Sequence, residues 1–254
     1  MKAIILAAGE GTRLRPYTLD RPKCLVEIDG ISLLDRQLAV LRSRGLDDIL
    51  LLGGYRAEML YGKGARVRIN PQYSETNMVS TLFCAEDELV GDVIISYGDI
   101  VYSADILDRL MASPADISVV IDLGWEAYWR TRNDNPLLDA ETLKLKPDGR
   151  IIEIGGKPTS YAEVEGQYIG LIKVSAKGIP LLRGTYRASR AAGTLGGREV
   201  AKAHVTDMLQ ALIDQGYDVH SIPINSPWIE IDTVGDLYLK ITKERVSQIE
   251  YTLG

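Results

Sequence analysis

MKAIILAAGEGTRLRPYTLDRPKCL (residues 1–25) opens the chain. A short apolar run that passes directly into Ala-Ala-Gly reads as a buried strand. The Gly-rich loop leaving it, Gly9-Glu10-Gly11-Thr12-Arg13, lets backbone N–H groups approach a ligand more closely than any side chain would permit. Arg13 and, after Pro22, Lys23 add a guanidinium and an ammonium, so the segment offers a triphosphate both backbone donors and positive charge. The dinucleotide fingerprint would need a third glycine where Leu14 stands, and no Walker A spacing exists. A plain strand-to-loop turn carrying surface cations is the competing reading.

Working outward, Leu33, Leu34, Leu38 and Leu41 fall on one helical face that stops at Gly45, and DDILLLGG (47–54) reads as a second buried strand. ARVRIN (65–70) is a third, a helix is expected over 77–89, and DVIISYGD (92–99) is an apolar strand ending in an acid. This βαβ repetition predicts a mostly parallel sheet in an α/β fold, where ligands bind beyond the carboxyl ends of the strands. The Gly-rich loop and Asp99 would both lie there.

Past a strand at 116–122 the pattern loosens. WEAYWRTRNDNPLLD (125–139) reads as loop-like and aromatic, and 141–156 as a hairpin turning on Pro147-Asp148-Gly149. A strand is expected over 167–175, a basic loop over 183–199, an amphipathic helix over 204–216 and a strand over 218–224. A short strand and a helix follow over 228–249. For the basic loop three roles stay open: a solvated surface, closure over a substrate, or contact with a second copy in a homo-oligomer. With 254 residues and no internal repeat or linker, a single domain is expected over 1–254, a nucleotide-facing half over 1–115 and an acceptor-facing half over 116–254.

A net charge of −6 without a basic stripe argues against a nucleic-acid partner. The first apolar run is broken by Gly9 long before it could serve as a signal segment or insert in a membrane, and two cysteines, Cys24 and Cys84, cannot build a disulfide framework. A reducing, cytoplasmic setting is the expectation.

The stretch LAAGEGTRLRPYTLDRPK (6–23) resembles the signature of nucleotidyltransferases, the pyrophosphorylases that couple a nucleoside triphosphate to a phosphorylated acceptor. The resemblance continues through CLVEIDGISLLD (24–35), Tyr97-Gly98-Asp99, Gly156-Lys157-Pro158 and Glu230-Ile231-Asp232. It implies the GT-A-like nucleotide-diphospho-sugar transferase fold. Residue by residue, it implies that Gly9, Gly11, Arg13 and Lys23 hold the triphosphate, that Ala8 and Thr12 belong to the nucleotide site with them, that Asp99 and Asp232 ligate Mg²⁺, and that Lys157 meets the acceptor phosphate. Two acids at strand ends converging on a hard cation suit Mg²⁺, although Asp232, just before Thr233, also suits a helix cap.

The stretch recognising a uracil or thymine base in hexose-1-phosphate members is absent, and NPQYSETNMVSTL (70–82) resembles instead the corresponding part of CTP:phosphocholine cytidylyltransferases. Met78 departs from relatives with a second Asn there, and the matching hydroxyl is Ser80 or Thr81. Asn77 can offer a base edge both a donor and an acceptor, or cap a helix. For the acceptor, Trp125, Tyr128, Trp129 and Trp228 could cage a quaternary ammonium, while their helical spacing equally suits core packing. Glu126 or Asp134 could meet a primary ammonium instead. The sequence therefore predicts a Mg²⁺-dependent transfer of CMP from CTP to a small phosphate or phosphonate acceptor. Candidates are phosphocholine, phosphoethanolamine and 2-aminoethylphosphonate. A sugar- or inositol-phosphate enzyme and a catalytically silent nucleotide-sensing subunit are the alternatives.

Overall fold

The computed structural model describes residues 1–225 and 227–251. Its centre is a seven-stranded sheet in the order 220–224, 117–122, 167–174, 93–97, 2–7, 49–53, 66–69. Four of the six pairings are parallel, and the strand Gln167–Val174 runs antiparallel to both of its neighbours. Strand Lys2–Ala7 is buried along nearly its whole length, as expected of a central strand covered on both faces.

Helices α1 (Leu33–Ser43), α2 (Met78–Phe83), α3 (Ala104–Ala112), α4 (Trp125–Arg132), α5 (Gly178–Ala192), α6 (Val205–Asp214), α7 (Val234–Tyr238) and α8 (Lys240–Tyr251) flank the sheet. One core holds α1, α3 and the α4 aromatics on one face, and a second holds α2, α5 and α6 on the other. A third, smaller cluster joins Leu14, Val26 and Leu33 to Ile229, Ile231 and Val246, tying the first loop to the end of the chain.

Three expectations give way. The segment 125–139 is not a loop: α4 forms because Trp125, Tyr128 and Trp129 bury at helical spacing, and Pro136–Leu138 adds a short turn. The basic loop at 183–199 is mostly α5, whose face Ile179, Leu182, Tyr186 and Ser189 packs inward. Gly193, at φ +79°, ends α5 in the left-handed conformation that favours glycine, and a tight hairpin pairs Thr194–Leu195 with Arg198–Glu199. The helix expected over 77–89 stops at Phe83 and is followed by a separate turn at Glu86–Glu88. The hairpin on Pro147-Asp148-Gly149 is present, pairing Leu143–Leu145 with Ile151–Ile154. Among the described residues no helix is long and apolar enough to cross a membrane.

Candidate active site

The site grows from the end of the first strand. Gly98 N donates to the Leu6 carbonyl at 3.0 Å, and a Cβ on Gly98 would lie 2.7 Å from that oxygen. Glycine is therefore required for Tyr97-Gly98-Asp99 to run close beside the first loop. Gly11, at φ +64°, opens the turn Thr12–Leu14; Thr18 Oγ1 donates to its carbonyl at 2.7 Å, and a Cβ on Gly11 would lie 3.0 Å from Lys23 Cβ.

A cleft of about 130 Å³, partly open to solvent, lies over this end of the sheet. Its floor is Leu6–Gly9, Lys23 and Cys24; its walls are Tyr73, Thr76–Met78 and Thr81 on one side and Tyr97–Asp99 on the other.

At the Asp99 end the far part of the chain arrives. Strand Trp228–Glu230 pairs antiparallel with Ile100–Tyr102, Glu230 opposite Ile100, and Ile231 N donates to the Asp99 carbonyl at 3.1 Å. That register sets Asp232 beside Asp99. Lys23 Nζ donates to Asp99 Oδ2 at 2.5 Å and to Asp232 Oδ1. Arg13 Nη2 adds a contact to Asp232 Oδ1 at 3.2 Å from a mostly exposed side chain.

Asp99, Glu230 and Asp232 each offer a carboxylate oxygen within 4.8 Å of the others. Asp99 Oδ1 is buried with no hydrogen-bond partner among the described residues, which costs free energy in a stable protein and suits a site built for a further ligand. Three hard oxygen donors fit Mg²⁺ and not a soft-ligand metal. Burial, reinforced by Asp232, pushes Glu230 up to about 8 despite Arg132 beside it. Burial also acts to raise Asp232, but the Lys23 ion pair outweighs it and the carboxyl is lowered. For Lys23 burial is likewise outweighed, here by Asp99 and Asp232, and its ammonium is held raised.

The sequence-derived candidates divide. Ala8, Gly9, Lys23, Asn77 and Asp99 line the cleft; Gly11 and Thr12 stand behind it in the loop. Asn77 caps α2, its Oδ1 accepting from Met78 N at 2.8 Å, while its Nδ2 makes a longer contact to the Lys202 carbonyl at 3.3 Å. Of the hydroxyl pair, Thr81 lines the cleft and Ser80 does not. Lys157 Nζ donates to the Leu138 carbonyl on the neighbouring turn.

The open aromatic cage is not what the four rings form. Trp125, Tyr128, Trp129 and Trp228 are at most 4% exposed and pack edge-on or tilted at centroid distances of 5.6–6.2 Å. Their polar atoms are spent internally: Trp125 on the Val164 carbonyl, Trp129 on Asp139 and Trp228 on buried Asp122. They are the packed wall behind the acids, the core reading of their spacing.

Sequence reasoning left out Glu230 as a member of the acidic cluster, Tyr73 and Thr76 as cleft walls, and Arg132. The first was legible as the outer acid of Glu230-Ile231-Asp232. Arg132 was legible too, since 125, 128, 129 and 132 share one helical face, but reading 125–139 as a loop hid it.

Residues 3–153 match the MobA-like NTP transferase domain. The chain belongs to this family. Along its length it is similar to a CTP:phosphoglutamine cytidylyltransferase of Campylobacter jejuni, 38% identical over 96% of this chain and 100% of the relative. A choline-phosphate cytidylyltransferase of Streptococcus pneumoniae is 40% identical over 37% of this chain and 43% of its own. In fold it is similar to the inositol-1-phosphate CTP transferase from T. maritima, with a TM-score of 0.74 at 23% identity, covering 98% of this chain and 96% of that one. The CTP:phosphocholine cytidylyltransferase of S. pneumoniae gives 0.69 at 22% identity, covering 100% and 99%. The fold is thus shared with these two enzymes, and membership of the NTP transferase family makes the chain a nucleotidyltransferase.

Proposed function

We propose that this protein transfers CMP from CTP to a small phosphorylated acceptor and releases pyrophosphate. The observation that carries the reading is the convergence of Lys23, Asp99 and Asp232 at one end of the cleft. The similarity to the phosphoglutamine enzyme over the whole chain supports CTP as donor and phosphoglutamine as the first acceptor to try. The closed aromatic cluster supports an acceptor that needs no trimethylammonium cage. We retain the division of labour between halves: the cleft is lined from residues 6–99, and 116–254 supplies Glu230, Asp232 and the acceptor side.

The nucleophile is already an anionic phosphate oxygen, so no general base is needed; the barrier is repulsion between anions and charge gathering on the departing pyrophosphate. In our reading the loop N–H groups around Gly9 and Gly11, with Arg13 and Lys23, neutralise the triphosphate, Asn77 and Thr81 meet the base, and Lys157 swings from the Leu138 carbonyl to the acceptor phosphate. Asp99, Glu230 and Asp232 would hold Mg²⁺, which supplies charge neutralisation at the phosphate oxygens. The chain's own task is to align the acceptor oxygen with the α-phosphorus opposite the leaving group.

The test is pyrophosphate release for CTP, UTP, dTTP, GTP and ATP against phosphoglutamine, phosphocholine, phosphoethanolamine, 2-aminoethylphosphonate, inositol-1-phosphate and glucose-1-phosphate. Release with CTP and a small non-sugar phosphate or phosphonate supports the reading. Release only with a sugar or inositol phosphate moves the acceptor assignment and leaves the metal site standing, and silence with every pair overturns the reading.

A further inference from the structure

Arg132 ends α4 with a guanidinium only 3% exposed, enclosed by rings of Tyr128 and Trp129 at 5.4 and 5.1 Å. Its fork is fully committed. Nη1 donates to Glu230 Oε2 at 2.7 Å, Nε to Asp236 Oδ1 at 3.0 Å, and Nη2 reaches Asp232 Oδ2 at 3.4 Å. Asp236, the anchor of this fork, is itself fixed: its Oδ2 accepts from Asp232 N at 2.9 Å and from Thr233 N at 2.8 Å.

The oxygens of Asp232 are therefore divided among three cations, Arg132 on Oδ2 and Lys23 and Arg13 on Oδ1. Oδ2 is turned back toward Arg132, and Oδ1 faces Lys23 and the cleft. Glu230 is gripped in the same way through Oε2. Without the fork, Glu230 and Asp232, whose oxygens stand within 4.8 Å of each other and of Asp99, would lose the bonds that set their orientation.

We propose that Arg132 is a positioning residue of the metal site, orienting Glu230 and Asp232 toward the cation without touching substrate. The inference rests on the reading of Asp99, Glu230 and Asp232 as metal ligands. Two effects of the guanidinium oppose each other. Its positive charge repels a divalent cation, so a pure charge role predicts tighter metal binding when it is removed. Its rigid fork orients the ligands, and loss of such an outer partner typically weakens metal binding about 10–100-fold. The number and geometry of the bonds favour the second effect.

Lysine keeps the charge and loses the fork, so Arg132→Lys isolates geometry, while Arg132→Met removes both. The measurement is Mn²⁺ affinity by the electron paramagnetic resonance signal of free Mn²⁺, on the full chain without nucleotide, alongside far-UV circular dichroism and Tm. The expected result is wild-type binding that Asp99→Asn abolishes, with affinity lowered about 10-fold or more in Arg132→Lys. In steady state the Mg²⁺ requirement should rise by a similar factor, with kcat at saturating Mg²⁺ changed less. Arg132→Lys within 2-fold of wild type, or Arg132→Met binding Mn²⁺ more tightly than wild type, overturns the positioning role. Wild type that binds no Mn²⁺ removes the metal reading, and this inference with it. If Arg132→Met does not fold, the lysine variant decides alone.

Discussion

Lys23 Nζ lies 2.5 Å from Asp99 Oδ2, and the same ammonium reaches Asp232 across 209 positions of sequence. One cation from the turn that follows Pro22 thus bridges two acids that the proposed chemistry assigns to a metal. A single ammonium cannot neutralise those acids and the triphosphate at once. On the proposed reading, loading the site frees Lys23 to turn toward the phosphates.

This exchange predicts opposite effects of Lys23→Met on two observables. Turnover should fall about 10²–10³-fold, the usual result of deleting one electrostatic donor to a transition state. Mn²⁺ affinity measured without nucleotide should rise, since the competing internal cation is gone. Unchanged Mn²⁺ affinity would mean that Lys23 does not compete for the acids.

Glu230, raised to about 8 by burial and Asp232, predicts a pH-dependent stability. From the unfolded carboxyl value near 4.5 up to about 8 the folded state holds a proton that the unfolded chain has lost, so stability falls as pH rises through that window. Glu230→Gln has no such proton. The difference in unfolding free energy, wild type minus Glu230→Gln, should therefore decrease from pH 5 to pH 8 in metal-free urea melts and level off above. A difference independent of pH would contradict the raised carboxyl.

Trp129 is 3% exposed, packed on Trp125, Tyr128 and Trp228, and donates to Asp139 Oδ2 at 3.0 Å. Trp129→Ala should cost about 3–5 kcal/mol of stability, a fall in Tm on the order of 10 °C for a domain of this size. A variant with unchanged Tm and a raised acceptor KM would instead restore the cage interpretation.

Asn77 couples helix and cleft, and aspartate separates the two. Asn77→Asp keeps the oxygen that accepts from Met78 N and loses the amide donor. Tm should hold within a few degrees while kcat/KM for CTP drops about tenfold, the equivalent of roughly 1.4 kcal/mol. Equal loss with CTP and UTP would assign Asn77 to the phosphates or the cap, not to the base.

Much of this site is written locally. The first strand, its Gly-rich loop, and Asp99 at the end of an apolar strand are legible because strand period and glycine freedom act over a few residues. What is not local is harder to read. The antiparallel insertion of Gln167–Val174, and the register that sets Ile231 N on the Asp99 carbonyl, depend on pairing partners far apart in sequence. The aromatic segment shows the other limit: the polar run Arg130-Thr131-Arg132 that follows its rings suggests a loop until Arg132 finds Glu230, Asp232 and Asp236 inside the protein. A buried arginine among acids looks like a surface arginine until its partners are known.

The most direct test of the central claim follows the phosphorus atoms. With CTP labelled at the α-phosphate in one reaction and at the γ-phosphate in another, Mg²⁺ and phosphoglutamine, the account predicts α-label in a CDP-linked product and γ-label in pyrophosphate, both absent with Asp99→Ala. γ-Label in the acceptor product, or α-label released as free CMP without transfer at the wild-type site, would contradict it.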